Sequence, residues 1–483
     1  MDAKALAVRL FDDRSRAFSV ELWDGSLLLP AHDARLGRVQ LKSQAALDAL
    51  LPPSEERVAE AFITGDIELQ GDTIGLLEAA ARWQGPNIRS QLNLLRSGWR
   101  RILGRSAAAA LSAGLRGQTH SARRDAQAVQ HHYDVSNEFY RLFLDSRMVY
   151  SCGYFPTGSE SLEEAQQSKL DLICRKLHLG PKDHVLDVGC GWGGLLFYAA
   201  AQYRAEGFGI TLSKNQLAEA QRQAAALDGL VKIEASDYRH LRPPRAFDKI
   251  ASIGMMEHVG HERLNEYFGS MFRLLRPGGL FLNHAIANVA PTQTVPWMRR
   301  GRSGGFIQRY IFPDSELLPV GMVVAAAERA GFEVRDLESL REHYAQTLAH
   351  WLLRLEHRFD EAVALVGKSR ARAWRLYLAS SAVAFRLGRI SVFQLLLAKP
   401  ARDGRVRELP MNRAGWYSQG PMAESPPLVA GGMHRSPEIG STANSGAASQ
   451  VADEGRPHST MKIIPGLREL RRRTAGGAKP RCR

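Results

Sequence analysis

The segment of this chain whose residue types and spacing most clearly indicate chemistry is glycine-rich. Residues 184–194 read His-Val-Leu-Asp-Val-Gly-Cys-Gly-Trp-Gly-Gly, with alternating glycines at Gly189, Gly191 and Gly193. A short apolar run, a glycine turn and the apolar segment 195–203 predict a buried parallel strand, a tight turn and a helix. Glycine lets a ligand approach the backbone closely, and the start of a helix presents unpaired N–H groups. The segment therefore predicts a site for NAD, FAD or S-adenosylmethionine, and glycine turns without any ligand also occur.

The residues at the ends of the neighbouring strands favour one of these cofactors over the others. The second predicted strand, ending in residues 209–213, carries no carboxylate of the kind that holds the ribose hydroxyls of NAD. Asp187 instead precedes the glycines, and Asp237 and Tyr238 follow the third strand. Polar residues at successive strand ends suit the amino-acid and adenosine halves of S-adenosylmethionine. Taken singly, Asp187 could instead cap a turn and Asp237 could lie in a surface loop.

A sheet must position these residues, and the sequence predicts its strands between residues 125 and 400. Alternating strand-like and helix-like segments are typical of a parallel α/β sheet. Predicted strands cover residues 185–188, 207–211, 231–235, 247–253, 280–287 and 390–397, with helices at 195–203, 214–226, 262–275 and within 341–388. The Pro-Gly-Gly at 277–279 predicts a turn just before a strand.

The remaining segments predict a modular chain. Residues 1–90 indicate a small α+β domain, with an exposed strand over 63–72 and a helix over 74–83. Residues 91–124 form a basic linker within the arginine-rich stretch 89–124, which is either an amphipathic helix on an anionic bilayer or a solvated helix. The main domain spans residues 125–400, with an extension over 401–417. Residues 418–483 are too rich in Gly, Ser, Ala and Pro to bury a core, and we predict a disordered basic tail.

The composition and net charge of the chain limit the classes of partner that we expect it to bind. The 483 residues carry a net charge of +14, which favours anionic partners such as nucleic acid or a phospholipid surface. No helix-turn-helix, zinc-finger or RNA-binding signature supports nucleic acid. Four cysteines without a C-x-x-C pair predict no metal site and suit a reducing cytoplasm. Without an apolar run of about 20 residues or a signal peptide, we expect only peripheral membrane contact.

Two further motifs indicate a family. Read beside the glycine turn, Tyr150-Ser-Cys-Gly-Tyr-Phe155 and Gly254-Met-Met-Glu-His-Val-Gly260 resemble the cyclopropane-fatty-acyl-phospholipid synthases, which are S-adenosylmethionine-dependent methyltransferases. Segments 132–140, 306–313 and 382–386 extend the resemblance over residues 125–400. It implies a class I methyltransferase fold, a Rossmann-like doubly wound sheet with a smaller α+β N-terminal domain.

The resemblance also implies site residues. The cofactor would be held by Tyr150, Ser151, Asp187, Gly189, Gly191, Gly193, Thr211, Gln216 and Tyr238, to which the strand-end argument adds Asp237. Family enzymes are understood to hold a bicarbonate ion, and the matching positions are Cys152, Glu257, His284, the backbone of Ile286, and Tyr344. Without the resemblance, Cys152, His284 and Tyr344 would be read as ordinary core residues. Ser381 stands where many members have cysteine, so no thiol nucleophile is available there.

The implied reaction is methylene transfer from S-adenosylmethionine to the cis double bond of an unsaturated phospholipid acyl chain. Bicarbonate would accept the proton that is lost when the ring closes, and aromatic faces at Tyr150, Tyr154, Phe155 and Tyr344 would stabilise the cation. The alternative is a methyltransferase that makes methyl-branched lipids or acts on another small molecule. We expect the enzyme in the cytoplasm at the inner face of the membrane, with an anionic lipid surface and no nucleic acid as partner. A homodimer is left open.

Overall fold

Two β-sheets organise the computed structural model, which describes residues 3–11, 16–30, 35–51, 54–82, 120–133, 135–289, 305–404 and 409–417. All of these residues lie in one compact unit, residues 1–419. The strands are β1 (Ser19–Glu21), β2 (Leu27–Leu28), β3 (Gly37–Leu41), β4 (Ile67–Gly71), β5 (His184–Val188), β6 (Glu206–Thr211), β7 (Val231–Ala235), β8 (Phe247–Ile253), β9 (Leu275–Asn288), β10 (Glu333–Ser339) and β11 (Ile390–Ala398).

The seven-stranded sheet has the order β10-β11-β9-β8-β5-β6-β7. Strands β5 to β9 run parallel, whereas β11 runs antiparallel to β9 and to β10. The chain leaves β5 toward β6 on one side and returns to β8 on the other. Ligands bind at such a reversal in a doubly wound sheet. The predicted α/β fold class is confirmed.

Helices cover both faces of this sheet and the small sheet of β1 to β4. They are α1 (Ala3–Leu10), α2 (Gln44–Ala49), α3 (Glu55–Thr64), α4 (Thr73–Arg82), α5 (Ala122–Tyr133), α6 (Asn137–Arg141), α7 (Leu162–Lys176), α8 (Gly194–Tyr203), α9 (Lys214–Ala224), α10 (Leu264–Leu274), α11 (Phe306–Tyr310), α12 (Val320–Arg329), α13 (Arg341–His357), α14 (Phe359–Val366), α15 (Lys368–Arg386) and α16 (Ala414–Tyr417). Serine side chains fix several helix starts: Ser213 accepts from the backbone N–H of Gln216 at the start of α9, and Ser161 and Glu164 form a capping box at α7.

Two predicted boundaries are wrong at glycines. Residues 277–279 are no turn before a strand but lie within β9, where a bulge sets Leu275 opposite Phe247 and Leu280 opposite Lys249. A Cβ on Gly279 would lie 2.8 Å from the carbonyl oxygen of Asp248, so this bulge admits only glycine. The strand predicted over 63–72 starts four residues later, because Gly65 (φ 91°) ends α3 first.

The N-terminal α+β layer packs on α15 through a shared apolar core and through buried charges. Arg372, 3% exposed, donates to the carbonyl oxygens of Phe62 and Ile67 and pairs with Glu68 at 2.6 Å. Arg375 reaches the other oxygen of Glu68 at 3.2 Å. Since breaking a buried pair costs about 3 kcal/mol or more, these contacts hold the layer firmly against the helix.

Strand β10 was not predicted, because only Asp336 of its seven residues is buried. Trp416 of α16 is buried, and the Nζ of Lys176 lies 5.8 Å from the centre of the Trp416 ring. Within the described ranges, no helix has the length and apolar character needed to cross a bilayer. Most of the stretch 89–124, the boundary predicted near residue 90 and the predicted tail 418–483 lie outside the described residues.

Candidate functional site

A cavity of about 140 Å³ opens at the carboxyl end of β5, where the strand order reverses. Nine of the ten residues predicted for the cofactor line it: Tyr150, Ser151, Asp187, Gly189, Gly191, Thr211, Gln216, Asp237 and Tyr238. The tenth, Gly193, does not line the cavity. It adopts φ 88° at the start of α8, where a Cβ would lie 2.6 Å from the ring of Phe197. Gly193 therefore shapes the turn rather than the cavity wall.

The glycine turn is held against the neighbouring strand. The backbone N–H groups of Gly189 and Cys190 both donate to the carbonyl oxygen of Ile210, at 2.9 and 3.0 Å. Gly189 and Gly191 have φ values of 80° and 57°, in the region that glycine occupies without strain. The turn can therefore bring backbone atoms to the cavity that a side chain would otherwise cover.

Asp187 is no turn cap. It is 3% exposed, lines the cavity, and its Oδ1 has no hydrogen-bond partner among the described residues. Burial raises the pKa of Asp187 to about 7. A buried carboxylate oxygen without a donor suits the ammonium group at the amino-acid end of S-adenosylmethionine.

Asp237 is likewise no free surface residue. Burial opposes its ionisation, but hydrogen bonds from Arg239 outweigh burial and lower the pKa of Asp237. Arg239 lies 2.6 Å from Asp237 and 3.0 Å from Asp125 of α5. The ion pairs fasten α5 across the cavity, where Val129 and Tyr133 of the same helix also line the wall.

A second group of polar side chains adjoins the cavity, and we call it the Glu257 cluster. Glu257, 7% exposed, accepts from the backbone N–H of Ile286 at 2.8 Å through Oε1, while Oε2 has no partner among the described residues. Burial raises the pKa of Glu257 to about 7. The cluster comprises Tyr133, Tyr150, Cys152, Glu257, Ile286, Tyr344 and Tyr377, and we add His284, which lies two residues before Ile286 on β9.

The charge of Glu257 affects the pKa of three tyrosines in the cluster. Burial is the main cause of the raised pKa of Tyr133, Tyr344 and Tyr377, and the carboxylate of Glu257 adds to it in each case. The hydroxyl of Tyr150 donates to that of Tyr377 at 3.2 Å. Because Tyr133 and Tyr150 also line the cavity, the cluster and the cavity share a wall.

His284 is a neutral, oriented imidazole. Its Nδ1 lies 3.3 Å from the amide Nε2 of Gln394 on β11, and because that nitrogen only donates, the ring proton resides on Nε2. Burial lowers the pKa of His284 to about 3, and its Nε2 has no partner among the described residues. The register pairs His284 with Ile253, which lines the cavity. His284 thus offers a free N–H beside the cavity.

Cys152 and Tyr344 meet at the start of α13. The Sγ of Cys152 lies 3.7 Å from the carbonyl oxygen of Leu340, which also accepts from the backbone N–H of Tyr344 at 3.1 Å. Cys152 is fully buried, and burial raises its pKa. The thiol therefore stays protonated and serves as a packed neighbour of Tyr344 rather than as a nucleophile.

Two predicted aromatic residues lie elsewhere. Tyr154 stacks on His343, with ring centres 4.9 Å apart, and Phe155 stacks on His350 at 5.6 Å. Neither lines the cavity. The rings of Tyr150, Tyr344 and Trp351 form a continuous series instead. The structure thus places Tyr154 and Phe155 against histidines of α13, and their contribution to stabilising a cation stays a prediction.

Sequence reasoning missed several cavity residues. Tyr133 and Asp125 lie far before the glycine turn, and only the fold of α5 brings them there. Lys169 of α7 lines the cavity with 1% of its surface exposed. A signal existed for Lys169, because it falls on the apolar face of a helix beside Leu170 and Ile173.

Comparison with known proteins shows the family of this chain. A family model described as mycolic acid cyclopropane synthetase matches residues 120–395. The chain belongs to this family. A probable fatty acid methyltransferase of Pseudomonas putida is 41% identical over 405 residues, which cover 82% of this chain and 95% of that protein. The cyclopropane mycolic acid synthase MmaA2 of Mycobacterium tuberculosis is 37% identical over 280 residues, 56% of this chain and 96% of that protein.

Solved structures of mycolic acid cyclopropane synthases share the fold. The MmaA2 structure has a TM-score of 0.54 and 36% identity, and the match covers 57% of this chain and 98% of that one. The synthase CmaA1, solved in complex with SAH and CTAB, has a TM-score of 0.53 and 36% identity over 56% of this chain and 97% of that one. This member of the cyclopropane synthetase family is thus an S-adenosylmethionine-dependent methyltransferase, as the sequence motifs predict.

Proposed function

We propose that this enzyme transfers a methylene group from S-adenosylmethionine to the cis double bond of an unsaturated phospholipid acyl chain, forming a cyclopropane ring. The observation that carries the proposal is the position of Glu257 and His284. Each has one buried polar atom without a partner among the described residues, Glu257 Oε2 and His284 Nε2. Neither residue lines the cofactor cavity, but Glu257 lies between Met255 and His258, which do, and His284 pairs in register with Ile253, which also does. Closing a cyclopropane ring requires a proton to leave the transferred methyl group, and two polar groups beside the donor can hold the acceptor of that proton.

The cavity residues fit the cofactor. S-adenosylmethionine, when bound, supplies an electrophilic methyl group on a sulfonium. Asp187 offers its unpartnered oxygen to the ammonium end, and the glycine turn leaves room for the nucleoside. Holding donor and alkene together at near-attack distance is the main contribution that a site of this kind makes to rate.

The aromatic wall of the Glu257 cluster suits the cation that develops on the acyl chain. Tyr133, Tyr150, Tyr344 and Tyr377 present ring faces and un-ionised hydroxyls, since burial raises the pKa of each. A ring face stabilises a nearby cation by about 0.5–2 kcal/mol. Together with the absence of a thiolate at Cys152, this favours a cation that is sheltered rather than captured by the protein.

A bound bicarbonate fits the remaining groups. The N–H at Nε2 of His284 and the hydroxyl of Tyr344 are donors for an anion, and Oε2 of Glu257 is an acceptor for its hydroxyl. Glu257 hydrogen-bonds the backbone of Ile286 rather than His284, so it acts on the ligand and not by orienting the imidazole. When bound there, bicarbonate supplies an oxygen that accepts the proton lost from the alkylated chain.

The lipid surface is proposed on electrostatic grounds. A net charge of +14 favours association with anionic phospholipid, which supports a location at the inner face of the membrane next to the proposed substrate. The relative from Pseudomonas putida, named as a probable fatty acid methyltransferase, supports an acyl chain as the group modified. It also keeps the methyl-branched product as the second candidate.

Lipid mass spectrometry tests the proposal. The purified protein is incubated with S-adenosylmethionine and vesicles of a cis-monounsaturated phosphatidylglycerol, with saturated phosphatidylglycerol and RNA as parallel substrates. We expect the unsaturated acyl chain alone to gain 14 mass units and to show cyclopropane protons by NMR. A gain of 16 mass units would indicate a methyl branch made with an added hydride, and a methylated RNA with unchanged lipid would overturn the proposal.

A further inference from the structure

Lys169 is a buried cation on the wall of the cofactor cavity that the mechanism above does not use. It lies on α7, is 1% exposed, and its neighbours Leu170 and Ile173 on the helix are buried and apolar. An ammonium group removed from water is costly unless an anion and hydrogen bonds compensate it. The question is which anion compensates Lys169.

The protein supplies few partners. The Nζ of Lys169 donates to the hydroxyl of Ser151 at 2.9 Å, which uses one of its three N–H groups. No carboxylate among the described residues lies within ion-pair distance of this nitrogen. The closest acidic neighbours by charge are Asp145 and Asp187, and Asp145 is already engaged by the backbone N–H groups of Arg147 and Val149.

Other buried lysines behave differently. Lys176, two turns further along the same helix, pairs with Glu338. Lys249 donates to the carbonyl oxygens of Leu177 and His178. Both are fully buried, and neither lines the cavity. The protein thus provides carboxylate or carbonyl acceptors for these two lysines, whereas Lys169, which lines the cavity, has only the hydroxyl of Ser151 as a hydrogen-bond acceptor among the described residues.

Lys169 remains charged at neutral pH. Burial lowers its pKa to about 8, and the nearby Asp145, Cys152 and Asp187 act in the opposite direction. The cavity therefore presents a cation at Lys169 and a carboxylate oxygen without a partner at Asp187. This pair of opposite charges complements a zwitterionic α-amino acid, which is one end of S-adenosylmethionine.

We propose that the ammonium of Lys169, supported by the hydroxyl of Ser151, binds the α-carboxylate of the S-adenosylmethionine amino acid. Lys169 is then a specificity residue that distinguishes the intact cofactor from adenosyl thioethers without a carboxylate. The proposal rests on the identity of the cofactor and is independent of the lipid substrate, so a failed lipid assay would leave it standing.

Binding measurements with two unreactive ligands test this. S-adenosylhomocysteine and S-adenosyl-3-thiopropylamine differ only by the carboxylate, and isothermal titration gives Kd for each without turnover. A charge-assisted hydrogen bond predicts that the wild-type chain binds the first ligand about tenfold to hundredfold more tightly. In Lys169→Met, and in Lys169→Gln, which keeps a donor for Ser151 but no charge, we expect the two Kd values to agree within about threefold.

Lys176→Met is the matched control, since it removes a buried lysine of the same helix outside the cavity. Its ratio of Kd values should equal that of the wild type, whatever its melting temperature. A wild-type ratio below about three would overturn the proposal even if both Lys169 variants failed to fold. A high ratio retained in the variants would also overturn it, because another group would then hold the carboxylate.

Discussion

The cofactor cavity and the Glu257 cluster share a wall but arise from the chain in different ways. The cavity takes most of its polar residues from the ends of consecutive strands, between Asp187 and Tyr238. The cluster joins residues as distant as Tyr133 on α5 and Tyr377 on α15, with Glu257 and His284 between them. A strand-turn-helix pattern specifies the first locally, whereas the second exists only after the whole domain has packed. This difference predicts that substitutions in the cavity change binding and substitutions in the cluster change turnover.

We expect the largest difference between the effect on turnover and the effect on cofactor binding at Glu257. Glu257→Gln removes the negative charge while keeping the shape, and we expect kcat to fall about 10³-fold, within the range for a lost acid–base group. The Kd of S-adenosylhomocysteine, measured by titration calorimetry, should stay within about twofold. Glu262→Gln, at an exposed position five residues later, is the control and should match wild type. Normal turnover in Glu257→Gln would remove the cluster from the mechanism.

The pH dependence of kcat is the next test. Burial raises the pKa of Glu257 to about 7, so its acceptor form is lost as the pH falls through that value. At saturating cofactor we expect kcat to decline about tenfold per pH unit below 7. His284, with a pKa of about 3, stays neutral in this pH range and therefore causes no second decline in kcat. The residual activity of Glu257→Gln should lack the acidic limb, and a limb that persists there would assign it to another group.

A smaller effect is expected in the cavity. Asp187→Asn keeps the size of the side chain but removes the charge that faces the ammonium end of the cofactor, so the Kd of S-adenosylhomocysteine should rise about tenfold. At saturating S-adenosylmethionine, kcat should remain within about threefold of wild type. Asp228→Asn, at an exposed turn before β7, controls for the loss of one carboxylate. A fall in kcat with an unchanged Kd would show that Asp187 acts in turnover, like the Glu257 cluster. It would contradict the prediction that cavity substitutions change binding.

The smallest effect concerns Ser381, which is 7% exposed on α15. Since Cys152 is held as a thiol and the proposed chemistry has no covalent enzyme intermediate, Ser381→Cys should change kcat by less than about twofold. Steady-state assays of the variant and of Ser380→Cys, its neighbour on the helix, provide the comparison. A gain of tenfold or more in Ser381→Cys alone would show that a thiol participates.

The same contrast explains what the sequence could predict. Strand alternation and the glycine turn predict the central strands almost to the residue, because each depends on a local pattern. Strand β10 was missed because its exposed, charged residues lack a strand pattern, and Pro277 was misread because a bulge and a turn use the same residues. Most residues of the cluster followed from family motifs rather than from spacing, since no local rule links Glu257 to Tyr344. Tyr133 and Tyr377 were not predicted, because only the packing of α5 and α15 brings them to Glu257. Lys169 was missed because helical lysines are usually solvated.

Helix α15 carries Tyr377 on one side and presents Arg372 and Arg375 to the N-terminal layer, where Arg372 also lies 4.4 Å from the ring of Phe62. MmaA2 matches only 280 residues of this chain over nearly its full length. A homologue built without residues 1–82 has no Glu68 to neutralise such arginines. We therefore expect family members that lack the layer to carry uncharged residues at the positions of Arg372 and Arg375, so that these two positions would distinguish short from long members.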